Sequence, residues 1–282
     1  MATFQWRVLL LGWLSSAVLL AVLWLWQRRH KDAGISDVGW ALSLAGLALA
    51  AALSGEGAAT PRWLIGVVGG VWGLRLGLHL LFDRVIGHRE DGRYRFLREH
   101  WGERADAKFF GFFQLQAVVA TLLALPFFVA VRAPEDRLVG WQLAGLALFV
   151  VAKSGEVLAD RQLARFRADA SNRGRTCREG LWRWSRHPNY FFEWLIWWSF
   201  ALLALPAPGG AWALVAPLVM YVMITRVSGI PYTEAQSLRS RGEDYRDYQR
   251  STSAFFPLPP RSHSQSVRRP AADPPNVSDA PA

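Results

Sequence analysis

Cysteine occurs once in these 282 residues, at Cys177, so no internal disulfide can hold the chain together. There is no Walker A pattern, no strand-borne GxGxxG and no His/Cys cluster at metal-ligand spacing. A P-loop nucleotide site, a Rossmann unit and a bound metal are therefore not expected. No internal repeat is present. Lysine is sparse: the strongly basic loops hold Lys31 and Lys108 against 24 arginines. Nucleic acid is not expected as a partner, because the net charge of +10 is gathered in short loops between apolar runs.

What the chain has in abundance is apolar length. Hydrophobic residues make up 52% of it, with 15 Trp, and the mean hydropathy is +0.12. About 20 apolar residues cross a bilayer. Runs of that kind predict spans at Val8–Trp26, Val38–Leu53, Leu64–Phe82, Phe109–Val131, Leu138–Leu158, Tyr190–Leu205 and Ala211–Thr225. The first is too long, and too basic on its far side, for a cleaved signal peptide. The expectation is an all-α polytopic bundle of about seven helices over residues 1–259. A Pro/Ser/Arg-rich tail expected to be disordered follows over residues 260–282.

Charge placement orients the bundle. Alternate loops and the C-terminal stretch carry 26 of the 32 Lys and Arg, the opposite loops 4, and Arg75 and Lys153 fall inside spans. The positive-inside rule then puts the N-terminus outside and the C-terminus in the cytoplasm. Gly69, Gly73 and Gly77 recur at four-residue spacing on span three, which predicts close helix packing.

Ionisable groups inside spans are costly and point to function. Arg75, His79 and Asp83 form one stripe on span three. Lys153, Glu156 and Asp160 form another on span five, and Asn189 with Glu193 a third on span six. Together they predict a polar cavity at the cytoplasmic ends of the spans. Pro188 fits the first turn of a helix, so Arg183, Arg186 and His187 stand beside free N–H groups, an anion site.

These stretches resemble the bacterial DUF1295 proteins of the steroid 5-alpha-reductase C-terminal superfamily. The matching residues are Trp72-Gly73-Leu74-Arg75-Leu76 with His79, then Glu90-Asp91-Gly92-Arg93-Tyr94, then Glu156, Asp160 and Gln162-Leu163. Gly180-Leu181-Trp182, Ser185-Arg186-His187-Pro188-Asn189-Tyr190 with Glu193, and Gly242-Glu243-Asp244-Tyr245 through Phe255 continue the series. The resemblance implies a membrane reductase using NADPH in a bacterial inner membrane, acting on an activated C=C bond of a lipophilic substrate. It implies cofactor contacts from Trp72, Arg75, Asp160, Arg167, Arg186, His187, Asn189, Tyr190, Glu193, Tyr245 and Arg250. The Gln-Glu pair with which steroid reductases polarise their substrate is missing from the first half. Asp37, His79 and Tyr94 are the acid candidates in its place. Two other readings stand beside this one. Arg-His-Pro-x-Tyr with Arg226 and Glu234 also resembles isoprenylcysteine carboxyl methyltransferases, which bind S-adenosylmethionine, although Ala235 stands where those carry a second Glu. The third reading is a non-catalytic lipid-binding protein.

Overall fold

The computed structural model describes residues 6–261, and the expected tail lies almost wholly outside them. The described residues are helical with no strand. The main helices of the bundle are α1 (Trp6–His30), α2 (Ile35–Ser54), α3 (Ala59–Leu80), α5 (Ala105–Leu123), α7 (Gly140–Ala168), α8 (Pro188–Ala204) and α9 (Val215–Val222). Between them lie α4 (Gly92–Trp101) and α6 (Leu125–Ala130), and after them α10 (Ile230–Arg241) and α11 (Glu243–Ser251). Six helical stretches are long and apolar enough to cross a membrane, which makes this a multi-pass membrane protein. The expected sixth span is the 17-residue α8, about 26 Å at 1.5 Å per residue, at the short end for a crossing.

Two predicted spans are interrupted. Span four breaks at Ala124, and Pro126 is the second residue of the short α6 that follows. Proline has no N–H to continue the preceding ladder, so the chain restarts. Span seven begins as a 3₁₀ turn (Gly210–Leu214), continues as α9, and widens into a π turn at Met223–Val227. A second π turn, Leu81–Val85, ends α3.

Small residues set the closest packing. A Cβ on Gly73 would stand 2.9 Å from the Ala45 nitrogen and 3.0 Å from the Ala41 carbonyl oxygen, and one on Gly66 would meet the Ala52 methyl at 2.5 Å. The glycine face of α3 therefore lies directly on α2, as its spacing predicts. That contact has a consequence for Arg75. The inner face of α3 is filled by Gly66, Gly69, Trp72, Gly73 and Gly77, and Arg75 is left exposed rather than turned inward as expected. Outward faces are apolar, as for Val67, Val71, Val150 and Val151, which suits a lipid surround. Inside, Phe127, Phe128, Trp197, Phe200 and Ile196 are fully buried and form the main core.

Candidate functional site

The site is built where α7, α8 and the α10–α11 segment meet. Proline at the first position of α8 ends the preceding loop, with His187 as the helix cap. This fixes Asn189 one residue into the helix. Its amide donates to the Asp160 carboxylate near the end of α7 at 3.1 Å. A cavity of about 350 Å³ opens at this point, within the range of small-molecule sites. His79, Asp160, Arg167, Arg186, His187, Asn189, Tyr190 and Tyr245, all expected in the site, line it. Residues from separate stretches of the chain therefore converge, although each of the three polar stripes brings only one residue to the wall: His79, Asp160 and Asn189.

Further residues of the wall were not expected from the sequence. Arg84, Thr176, Cys177, Thr233, Ser237, Arg241 and Tyr248 line the cavity too. Arg84 reaches it because the π turn at the end of α3 shifts the register there, while Asp83 on the same turn pairs with His79 at 2.7 Å. Arg84 directly follows Asp83, the last residue of the polar stripe on span three, and Arg241 precedes Gly242. Arg84, Arg167 and Arg241 have no carboxylate within ion-pair distance among the described residues, whereas Arg93, Arg98, Arg178 and Arg186 do. The Thr176 hydroxyl is buried on the cavity wall without a hydrogen-bond partner. A buried orphan hydroxyl costs free energy unless something satisfies it. Basic side chains with no acid partner beside such a hydroxyl describe an anion site. A second cavity of about 300 Å³ adjoins the first, and the two share Leu163, Arg167, Cys177 and Arg241.

Arg186 has a different task from the one expected. Its Nε donates to Glu234 of α10 at 2.7 Å, and its Nη1 to the carbonyls of Gln249 and Thr252 at 3.1 and 2.5 Å. Glu234 also accepts from Gln249 at 2.8 Å and faces His187 Nε2 at 3.3 Å. Arg186 is thus a brace between α8 and the C-terminal segment. Its guanidinium is taken before any ligand arrives, because α10 brings a carboxylate to it. The His187 ring stacks on Tyr190 with centroids 5.3 Å apart. Burial holds the imidazole below its usual range, although Glu234 pulls the other way. Burial likewise pushes the Cys177 thiol and the Tyr245 and Tyr248 phenols upward.

Four expected cofactor residues lie off the cavity wall. Arg75 is on the outer face of α3. Arg250 is exposed and pairs with Asp247 and Glu243 on its own helix, since α11 turns Tyr245 and Tyr248 inward instead. Trp72 is packed in the core edge-on to Trp197 and Phe200, its indole N–H without an acceptor. Glu193 sits deeper along α8 and accepts from Trp197 at 3.2 Å. The nearby Lys153 is closed onto Glu156 at 2.6 Å.

The acid candidates separate. His79 is on the cavity. Asp37 and Tyr94 form a second centre: Tyr94 donates to Asp37 Oδ1 at 2.7 Å and Arg93 to Oδ2 at 3.2 Å. Ser36 donates to the Tyr94 oxygen at 3.4 Å, and Gln116 donates to Ser36 at 3.2 Å. Tyr94 is 3% exposed, so its hydroxyl faces Asp37 rather than an open space.

Comparison with known proteins agrees with the motifs. The family model described as "Protein of unknown function (DUF1295)" matches residues 23–252. The chain belongs to the DUF1295 family. A relative of this DUF1295 chain, "Uncharacterized protein C594.04c" of Schizosaccharomyces pombe, is 33% identical over 166 residues, 50% of this chain and 46% of that protein. The DUF1295 chain thus covers just under half of that relative's length. No solved structure matches it.

Proposed function

We propose that this protein is a membrane-embedded reductase that uses NADPH to reduce an activated C=C bond in a lipophilic substrate. The observation that carries the reading is the cavity beside Asp160 and Asn189 whose arginines lack acid partners. NADPH is strongly anionic, and arginine forks suit phosphate oxygens. Arg84, Arg167 and Arg241 would hold those phosphates, with the Thr176 hydroxyl as a further donor. The two adjoining cavities would offer room for an extended ligand. Asn189, Asp160 and Tyr190 would take the polar end nearest the bundle. When bound, the cofactor supplies a hydride.

The protein's own share is orientation and charge. Arg93 is fixed by Asp91 at 3.3 Å and Asp37 at 3.2 Å. A guanidinium held in this way would stabilise a substrate oxygen that gains negative charge as the neighbouring C=C is reduced. Asp37 accepts at both oxygens, so it anchors Arg93 and Tyr94 and is not arranged to donate a proton. The apolar outer faces would admit substrate from the bilayer. With the N-terminus outside, the cavity opens to the cytoplasm, where NADPH is made available.

Methyl transfer is disfavoured by the same geometry. S-adenosylmethionine carries a sulfonium cation, and the cavity presents arginines. Glu234, the carboxylate of the methyltransferase-like pattern, is taken up by Arg186, His187 and Gln249. The test is NADPH oxidation by detergent-purified protein with a panel of lipophilic enones, alongside thermal-shift assays with both cofactors. Oxidation with an NADPH-dependent shift supports the reading. A shift with S-adenosylmethionine alone replaces it with methyl transfer, and no response to either favours a lipid-binding protein.

A further inference from the structure

Arg75 and Lys153, the two bases inside spans, lie at one depth and are treated in opposite ways. The starts of α3 and α7 are neighbours, since the Thr60 N–H donates to Asp136 just ahead of α7 at 2.7 Å. Each helix carries an exposed tryptophan near that end, Trp63 and Trp141, of the kind that marks a membrane interface. Arg75 and Lys153 each follow their tryptophan by twelve positions, about 18 Å along a helix. Lys153 is 20% exposed and closes onto Glu156 at 2.6 Å. Arg75 is exposed and has no carboxylate within ion-pair distance among the described residues.

The other acids of the spans are engaged as well. Asp83 pairs with His79 at 2.7 Å, and Asp37 accepts from Tyr94 and Arg93. Asp160 accepts from Asn189, and Glu193 from Trp197. Water is no closer at hand. Asp83, where α3 gives way to its charged loop, lies eight positions on, about 12 Å away along the helix. A Cα–Cβ bond on a helix tilts toward the N-terminus, here away from that end. A guanidinium at such depth is costly unless an anion meets it. Its partner therefore comes from outside the chain.

The surroundings say what brings that anion. Val71, Leu74, Leu78 and Phe82 are exposed, and their steps of three and four put them on one face of α3, with Arg75 at its edge. Acyl chains suit such a face, and phosphate oxygens suit a guanidinium fork. A zwitterionic headgroup would bring its own cation against Arg75, whereas an anionic one does not.

We propose that this face of α3 binds an anionic phospholipid of the bilayer, with its phosphate on Arg75 and its acyl chains along Val71, Leu74, Leu78 and Phe82. Arg75 lies off the cavity wall, so the lipid site holds whichever ligand the cavity takes.

The test is thermal unfolding of detergent-purified protein with mixed micelles of phosphatidylglycerol or phosphatidylcholine. Phosphatidylglycerol should raise the melting temperature of the wild type by about 3 °C or more above the value in phosphatidylcholine, through binding to the folded state. Arg75→Leu should lose that difference while melting at or above the wild-type temperature in phosphatidylcholine, because leucine suits a lipid-facing position. Arg89→Leu, at an exposed position in the loop after α3, should keep the difference. Inorganic phosphate, which reaches the cavity but not a lipid-facing residue, should not abolish it. Where Arg75→Leu does not purify, Arg75→Gln takes its place. Native mass spectrometry gives a second reading: the Arg75 variant should retain one phosphatidylglycerol fewer than the wild type. An equal gain in wild type and variant, no gain in either, or equal lipid retention would overturn the site. An Arg75-dependent gain of the same size from oleate would overturn the phospholipid and point to a single-chain acid.

Discussion

Asn189 of α8 donates a hydrogen bond to Asp160 of α7 across 3.1 Å, and this single contact joins two of the polar stripes into one wall. Asp160→Ala should loosen NADPH binding by roughly 10-fold, the size of one hydrogen bond to a charged group. Isothermal titration of the purified variant checks this. Unchanged affinity would show that the pair only fastens α7 to α8.

Tyr94 and Asp37 give a contrasting case. Tyr94→Phe removes the 2.7 Å bond to Asp37 and leaves the Arg93 ion pair in place. The expected cost is about 1 to 3 kcal/mol, because a buried acceptor loses a donor. NADPH affinity should stay within about twofold, since Tyr94 is not on the cavity wall. A melting curve and a binding titration on the same sample separate the two effects.

The glycine face of α3 makes a prediction with an internal control. Gly73→Ala must push the Ala41–Ala45 turn of α2 away, at about 1–3 kcal/mol. Gly70, on the same helix, has open space within 4 Å of where a Cβ would stand, so Gly70→Ala should be neutral or stabilising by up to about 1 kcal/mol. Thermal unfolding in one detergent compares them. Equal effects would mean that α2 and α3 are not packed as described.

Acid should weaken the hold of α8 on the C-terminal segment through His187. Burial sets the folded imidazole below its ordinary value, so the unfolded chain binds the proton more readily. The stability tied to neutral His187 is complete above about pH 6.5 and is lost as the pH falls from there through the folded value. Melting temperatures between pH 8 and 5 should drop more steeply for wild type than for His187→Gln. Parallel slopes would place the titrating group elsewhere.

The fold was largely legible because apolar length and glycine spacing speak of the same helical bundle. The predicted span Val38–Leu53 lies inside α2, and Leu64–Phe82 extends from α3 into its π turn. The site was legible at single positions of the stripes: His79, Asp160 and Asn189 reach the cavity wall, while Arg75, Lys153, Glu156 and Glu193 do not. It failed where a second element decides. Arg186 reads as an anion ligand from its own loop, and only the arrival of Glu234 from α10, 48 positions later, shows it to be a brace. Arg75 reads as an inward charge, and only the contact of the α3 glycines with α2 turns it out. Arg250 is claimed by Asp247, three residues before it, once α11 forms. Arg84 needed the π turn, which leaves no pattern in the residues around it.

The central claim is that unpaired arginines on the cavity wall hold an anionic dinucleotide. Its most direct test is a fluorescence titration of NADPH into wild-type protein and into an Arg167→Ala/Arg241→Ala variant of matched melting temperature. Saturable binding by the wild type, weakened about 100-fold or more in the variant and by added salt, is the predicted result. Equal binding by both proteins, or none by the wild type, would contradict it.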